Sequence, residues 1–230
     1  MYDWQTIFYA LLGGILPAVI WLTFWLFEDR KKPEPKRLIL RTFILGMLAV
    51  IIVLPLQSSV DHIFPNMAWQ AFVLWALLEE GFKLAAAYFG GLRTPEDNEP
   101  IDPLVYMITA ALGFVALENT LFIATSLLEE GSVMAVITGN MRFVGASLLH
   151  TFTSGIIGVA IGFSFYKRAL VRNVYALVAF ILAVSFHVVF NLTLFRNTET
   201  GATLAFGAVW VGIALIILMF ERLKVIAPTE

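Results

Sequence analysis

Residues 38–57, LILRTFILGMLAVIIVLPLQ, contain one charged side chain, Arg41, and are long enough to cross a lipid bilayer as a helix. A spanning helix needs about 20 mainly apolar residues, and six other blocks of the chain have a similar length and composition: residues 4–27, 67–91, 103–125, 143–165, 174–195 and 202–220. The sequence therefore predicts an all-α fold, a polytopic membrane helix bundle with seven transmembrane segments. An eighth segment would follow if the apolar residues 131–142 form a short re-entrant or interfacial helix.

The overall composition agrees with a membrane protein. Of the 230 residues, 60% are hydrophobic and 14% are charged, whereas soluble domains carry about 25% charged residues. The chain has no cysteine, which excludes disulfides, thiol nucleophiles and thiolate metal sites. We expect a single membrane domain over residues 1–230 with a catalytic core at about 67–195, located in a cell membrane, with the lipid bilayer as a partner and no nucleic acid.

The basic residues outside the spans predict the orientation. Twelve Lys and Arg residues lie on the face that includes the loop after the first span, and two, Arg142 and Arg196, lie on the other. Because cytoplasmic loops are enriched in Lys and Arg, the N-terminus is predicted outside and the C-terminus in the cytosol. The first block lacks a basic segment before it, so we expect it to remain as an anchor rather than to be a cleaved signal peptide.

Several polar side chains interrupt the predicted spans. Ionisable groups inside a membrane cost at least about 2.5 kcal/mol each and usually serve a function. With the predicted orientation and the helical rise per residue, Glu79, Glu118, His150 and His187 lie about 10–18 Å below the outer face. The side chains of this layer are Glu79, Glu80, Lys83, Glu118, Asn119, His150, Ser154, His187 and Asn191.

The layer contains the groups that a hydrolytic site requires. Two histidines and a glutamate form a known ligand set for catalytic zinc, so His150, His187 and Glu118 are the predicted Zn²⁺ ligands. Either Glu79 or Glu80 would then be the general base, and Lys83 would neutralise one of them. Asn191, one turn after His187, is a candidate for stabilising an oxyanion. Asn119 and Ser154 would support these groups or bond neighbouring helices.

Other functions fit the same residues. A metal-free site, in which one glutamate activates water with help from a histidine, needs no further group. A proton- or cation-coupled transporter would also use buried carboxylates and histidines, and spacing alone does not separate a transporter from a hydrolase. A non-catalytic scaffold that binds a partner helix is a third reading, but it has no use for converging carboxylates and histidines.

The spacing of the polar residues resembles a known signature. Glu79-Glu80-x-x-Lys83, Phe114-x-x-x-Glu118-Asn119, His150 and His187-x-x-x-Asn191 follow one another on four successive spans. This pattern resembles the PrsW family of bacterial intramembrane proteases, which is in turn similar to the CAAX prenyl protease and Abi group. The sequence differs from that group by Lys83 after the glutamate pair and by Glu118 where the group has a histidine.

The resemblance implies a membrane-embedded peptidase of a bacterial plasma membrane, with Glu79 and Glu80 as its catalytic glutamates and Glu118, His150 and His187 as further polar positions. A member of that family makes the first cut in a membrane-anchored anti-sigma factor during stress signalling, which implies a single-span membrane protein or peptide as substrate. We further expect an outward-facing polar funnel between spans three and six, gated by residues 126–142. The oligomeric state is left open.

Overall fold

The structure of the chain, a computed structural model, describes residues 4–30, 32–64, 69–196 and 198–227. These residues form eight α-helices and no strand, with π-helical turns at Tyr88–Leu92 and Arg142–Ala146. The helices are α1 (Trp4–Glu28), α2 (Lys36–Ile63), α3 (Trp69–Ala87), α4 (Asp102–Glu129), α5 (Ser132–Met141), α6 (Ser147–Phe163), α7 (Ala169–Phe195) and α8 (Glu199–Leu223). The predicted all-α membrane bundle is confirmed.

Six helical segments of the described chain are long and apolar enough to span a membrane. They are α1, α2, α4, α7, α8 and the run Ser132–Phe163. The third predicted span corresponds to α3, which is absent from this set because its 19 residues include Glu79, Glu80 and Lys83. The predicted start of that span, Met67, lies outside the described residues.

The predicted short helix at residues 131–142 forms, but it does not stand apart from the next span. It is α5, and the turn Arg142–Ala146 joins it directly to α6, so that Ser132–Phe163 is one helical run. A π-helical turn holds an extra residue and changes the phase of the helix that follows. For this reason, a regular helical period that is read from the sequence gives wrong angular positions for side chains on the far side of the turn.

The central element of the bundle is α4, which packs against α1, α2, α3, α5 and α6. Residues 102–116 are all buried, so this part of the helix is enclosed on every side. Two glycines allow the close approach of α2 and α4. A Cβ atom on Gly113 would lie 2.0 Å from the carbonyl oxygen of Phe43, and one on Gly46 would lie 2.2 Å from that of Ala110.

The outer helices carry the lipid-facing surface. Large apolar side chains such as Ile20 of α1, Ile51 of α2, Leu177 of α7 and Leu218 of α8 are more than half exposed. A soluble protein rarely exposes so much apolar surface, and a bilayer supplies the apolar surroundings that these side chains need.

Ion pairs between the connections identify one end of the bundle. Lys32 pairs with Glu99, Arg37 lies 3.6 Å from Glu96, and Lys224 lies 3.9 Å from Glu28. The α1–α2 connection, the α3–α4 connection and the end of α8 therefore meet at one end, which is the end that the charge distribution predicts to be cytosolic.

Candidate active site

The polar side chains from four helices converge in the bundle core. Glu79, Glu80 and Lys83 come from α3, Glu118 from α4, His150 from α6 and His187 from α7. The ring centroids of His150 and His187 are 5.1 Å apart. Five of these six side chains are buried, and Glu118 is nearly so. The structure thus joins the layer that the sequence predicts into one compact cluster.

Glu80 lies at the back of the cluster and is fully buried. Its Oε1 atom accepts hydrogen bonds from Lys83 Nζ at 2.6 Å and from the Thr153 hydroxyl at 2.9 Å. The same oxygen lies 2.8 Å from His187 Nδ1. A carboxylate at Nδ1 fixes the proton there and leaves the Nε2 lone pair of His187 available. Glu80 therefore orients His187.

Glu79 faces away from Glu80, toward a cavity that it lines. Its Oε1 atom accepts a hydrogen bond from Gln57 Nε2 at 2.7 Å. Its Oε2 atom is buried without a hydrogen-bond partner among the described residues, and it lies 3.5 Å from His187 Nε2 and 3.9 Å from His150 Nδ1. A buried carboxylate oxygen that faces two imidazole nitrogens is well placed to bind a cation.

Glu79, His150 and His187 form a group that could hold a metal ion. One ligand atom from each lies within 4.8 Å of the others, and no second group of this kind occurs among the described residues. The donor set of one carboxylate and two imidazoles suits zinc. Lys83 Nζ donates to His150 Nδ1 at 2.8 Å. Metal binding through that nitrogen therefore requires Lys83 to give up this hydrogen bond and to keep only its contact with Glu80.

The remaining glutamate of the cluster, Glu118, has different partners. Its Oε2 atom pairs with Arg142 Nη2 and lies 3.3 Å from His150 Nε2. The predicted ligand set of His150, His187 and Glu118 does not coincide with the converging group, in which Glu79 takes the place of Glu118. In this geometry Glu118 relates to His150 as Glu80 relates to His187.

Arg142 was not among the residues that the sequence pointed to for the site, because its position after an apolar stretch suggests an outer-surface residue. Its side chain is only 17% exposed. Its Nε atom donates to Asn119 Oδ1 at 2.6 Å, and its guanidinium lies over the Phe122 ring, 3.8 Å from the centroid. With Arg142, two cations stand against the three carboxylates, whereas the sequence suggests that Lys83 stands alone.

The three smaller polar residues of the predicted site differ in what they contact. Asn119 donates to Ser147 Oγ at 3.3 Å while it accepts from Arg142, so it acts as a link between α4 and the π-helical turn. The Ser154 hydroxyl is buried with no hydrogen-bond partner in the described part of the chain. Asn191 lies on the cavity wall, one turn after His187.

A cavity of about 720 Å³ leads from the cluster to one end of the bundle. Glu79, Glu118, His150 and His187 line it, whereas Glu80 and Lys83 do not. Toward its mouth it is lined by the end of α2, the start of α3, the end of α7 and the start of α8: Gln57, Ser58, Asp61, Phe72, Trp75, Asn191, Leu194, Phe195, Ala202 and Phe206. This end is opposite the connections with the paired basic residues.

Comparison with known proteins decides the class of this site. A family model described as "PrsW family intramembrane metalloprotease" matches residues 34–220, which include every residue of the cluster. The chain belongs to the PrsW family. It is therefore an intramembrane protease. Its six candidate spans and its bacterial relatives fit a multi-pass protein of a bacterial plasma membrane.

Curated PrsW relatives match over most of the chain. "Protease PrsW" of Geobacillus kaustophilus is 28% identical over 199 residues, which cover 84% of this chain and 83% of the relative. That of Oceanobacillus iheyensis is 35% identical over 128 residues, 55% of this chain and 59% of the relative. That of Bacillus subtilis is 26% identical over 158 residues, 68% and 67% respectively. No solved structure matches this chain.

Membership of the PrsW family also separates a protease from a transporter. The transporter reading is not supported, because the family and its curated members are described as proteases. The description as a metalloprotease agrees with the buried group of Glu79, His150 and His187.

Proposed function

We propose that this PrsW-family protein is a zinc-dependent endopeptidase that hydrolyses a peptide bond of a single-span membrane protein near its extracytoplasmic end. The observation that carries the proposal is the convergence of Glu79, His150 and His187 at the inner end of a cavity that opens at one end of the bundle. The peptidase would use the whole chain as one domain, with its core between α3 and α7.

The ligand set that the geometry favours is Glu79 Oε2, His150 Nδ1 and His187 Nε2. The other nitrogen of each histidine lies beside a carboxylate, Glu118 for His150 and Glu80 for His187. Such outer carboxylates orient imidazole ligands and raise their basicity in metal sites. A bound zinc ion would supply an activated water and polarise the scissile carbonyl group.

The glutamates then have separate roles. Glu80 is closed off behind His187 and positions it, with Lys83 balancing its charge. Glu118 lines the cavity, and we propose that its Oε1 atom, which carries neither the contact with Arg142 nor that with His150, takes the proton of the attacking water. Asn191 lines the same cavity, so its side-chain amide could donate to the developing oxyanion.

The cavity also indicates how a substrate would be bound. Its mouth carries aromatic side chains, among them Phe72, Trp75 and Phe195, next to the polar Gln57 and Asp61. An unwound segment at the end of a spanning helix has this mixed character, because its peptide groups need hydrogen-bond partners while its side chains are apolar. The α5 helix packs on α4 near this mouth and would act as the gate.

The test combines cleavage with metal analysis on the purified full chain in detergent. Synthetic peptides with one apolar span and an extracytoplasmic extension serve as substrates, and mass spectrometry locates the cut. We expect Glu79→Gln and His187→Ala to abolish both zinc binding and cleavage, a loss of at least about 10³-fold in rate. Glu118→Gln should retain weakened zinc binding but lose most of the activity.

The matched control is Arg196→Gln, which removes an exposed charge at the end of α7 and should leave both measurements unchanged. Cleavage that survives in Glu79→Gln and His187→Ala would contradict the site. Cleavage by a protein shown to hold no zinc, unaffected by a chelator, would leave the glutamate site but reject the metal. The contact of Lys83 with His150 Nδ1 would then be the functional arrangement.

A further inference from the structure

The π-helical turn Arg142–Ala146 directs a basic side chain into the active site. The Arg142 guanidinium meets three side chains of α4 that lie within one helical turn of one another. It pairs with Glu118, donates to Asn119 and lies over the Phe122 ring. These contacts fix two edges and one face of the planar group, which is the kind of binding that arginine provides and lysine does not.

Side chains around Arg142 also hold the backbone of the turn in place. In a π-helical turn some carbonyl groups lose their usual helical partners. The Ser147 hydroxyl donates to the Arg142 carbonyl oxygen at 3.2 Å and accepts from Asn119 at 3.3 Å. Gly145 lets the Phe206 ring lie against the turn, because a Cβ atom there would be 2.2 Å from that ring. The position of Arg142 is thus determined by packing on both sides.

Arg142 connects to the proposed ligands through one atom. Glu118 Oε2, the oxygen that pairs with Arg142, is also the oxygen 3.3 Å from His150 Nε2. A carboxylate that is held on one side by a guanidinium cannot rotate without losing that contact. It therefore holds the His150 ring in the orientation that turns Nδ1 toward Glu79.

We propose that Arg142 is a positioning residue of the active site, which acts through Glu118 to orient His150 for metal binding. The inference rests on the ligand set proposed above. It assigns a function to Arg142, whereas the distribution of basic residues uses Arg142 only to predict the orientation of the chain in the membrane. It also gives the π-helical turn a role, since Arg142 is the residue at which that turn begins.

Metal affinity tests the inference without a known substrate. The full chain is purified in detergent, stripped of metal and titrated with Zn²⁺ against a chromophoric chelator, and Co²⁺ is used to record the ligand-field absorption spectrum. We expect Arg142→Gln to weaken zinc binding about 10- to 100-fold, the range found when outer partners of metal ligands are removed. Arg142→Lys should restore part of the loss, and Phe122→Leu should cause a smaller loss than Arg142→Gln.

The double variant Arg142→Gln/Glu118→Gln separates positioning from general destabilisation. If Arg142 acts through Glu118, the double variant binds zinc no more weakly than Glu118→Gln alone, and both alter the Co²⁺ spectrum. Arg196→Gln, with the same change in charge, should leave the affinity and the spectrum unchanged. Should Arg142→Gln fail to fold, Arg142→Lys and Phe122→Leu carry the same comparison.

Two results overturn the inference while the proposed function stands. One is a wild-type zinc affinity in Arg142→Gln, and the other is a double variant in which the two losses multiply. A third result is that the wild-type chain binds no zinc, which would reject the proposed ligand set and this inference together.

Discussion

Two clusters of carboxylates in this chain neutralise their charge in different ways. In the bundle core, Glu80 and Glu118 each meet a cation, Lys83 and Arg142 respectively. At the end of the bundle with the paired basic loops, a second group of acids lies near Tyr106, and the cations beside it, such as Lys32, are more exposed. These acids are Asp29, Glu34, Asp97, Glu99 and Asp102. In the core, two of the three carboxylates are paired with a cation, whereas burial raises the pKa of carboxyl groups in the second group, which we call the loop-end cluster.

The loop-end cluster shows this through its pKa values. Burial, together with repulsion from Asp102 and Glu99, raises the pKa of Asp29 to about 7. Burial likewise raises the pKa of Glu34 to about 8 and that of Asp97 to about 7. Lys224 and Arg172 oppose the shifts of Asp29 and Asp97 only in part. Carboxyl groups at the end of a membrane bundle can therefore be buried without a closely paired cation, because they can take up protons from the adjacent water.

The largest expected effect comes from removing a cation in the core. Lys83→Met leaves Glu80 fully buried without its main counter-charge, and breaking such a pair costs about 3–5 kcal/mol. We expect this loss in the free energy of unfolding, measured by SDS titration in mixed micelles. The double variant Glu80→Gln/Lys83→Met should recover part of it, since no unpaired charge is left behind. A single variant as stable as the wild type would show that Glu80 is protonated rather than paired.

Removing charge from the loop-end cluster should have the opposite sign. Because the folded-state pKa values of Asp29 and Glu34 lie above their ordinary values of 3.8 and 4.5, their contribution to stability is fully present below about pH 4 and is lost as the pH rises through 7 to 8. At pH 8.5, Asp29→Asn and Glu34→Gln should each stabilise the fold, by about 1 kcal/mol after solvent screening.

The measurement is the melting temperature of wild type and double variant between pH 5 and pH 8.5. We expect the wild type to lose stability toward high pH relative to Asp29→Asn/Glu34→Gln, and the two curves to approach each other near pH 5. Parallel curves across this range would show that the pKa values of these carboxyl groups are not raised by folding.

The smallest effect is expected from the exposed pair at the same end. Lys32 pairs with Glu99, but its side chain is 73% exposed. Exposed pairs contribute about 0–1 kcal/mol and weaken with salt. Lys32→Gln is therefore the matched control for Lys83→Met, and a loss of stability as large as that of Lys83→Met would remove the distinction between the two clusters.

Much of the fold follows from the sequence because length and hydropathy show which stretches of the chain form long apolar helices. The convergence of Glu79, Glu118, His150 and His187 also follows, since side chains at a common depth on neighbouring helices face a common core. The sequence does not determine which carboxylate meets which nitrogen. A helical period gives angles within α3 or α4, but the contacts depend on how these helices rotate against α6 and α7.

Two features of the structure cannot be predicted from the sequence, for physical reasons. The turn Arg142–Ala146 breaks the helical period, so Arg142 could only be placed at the membrane face, and its pairing with Glu118 could not be foreseen. In the loop-end cluster, Asp29 and Asp97 follow from the sequence as ordinary polar loop residues. Their burial depends on the meeting of the α1–α2 and α3–α4 connections, which are far apart in the chain.

The charges of α3 have a consequence for how the protein enters the membrane. Each charged residue at the centre of a helix adds about 2.5–3.5 kcal/mol to the cost of insertion, and α3 carries Glu79, Glu80 and Lys83 within two turns. Gln57 is synthesised before α3, but Thr153, His150 and His187 emerge long after it. The polar groups that contact the charged side chains of α3 are therefore incomplete until α6 and α7 have been synthesised.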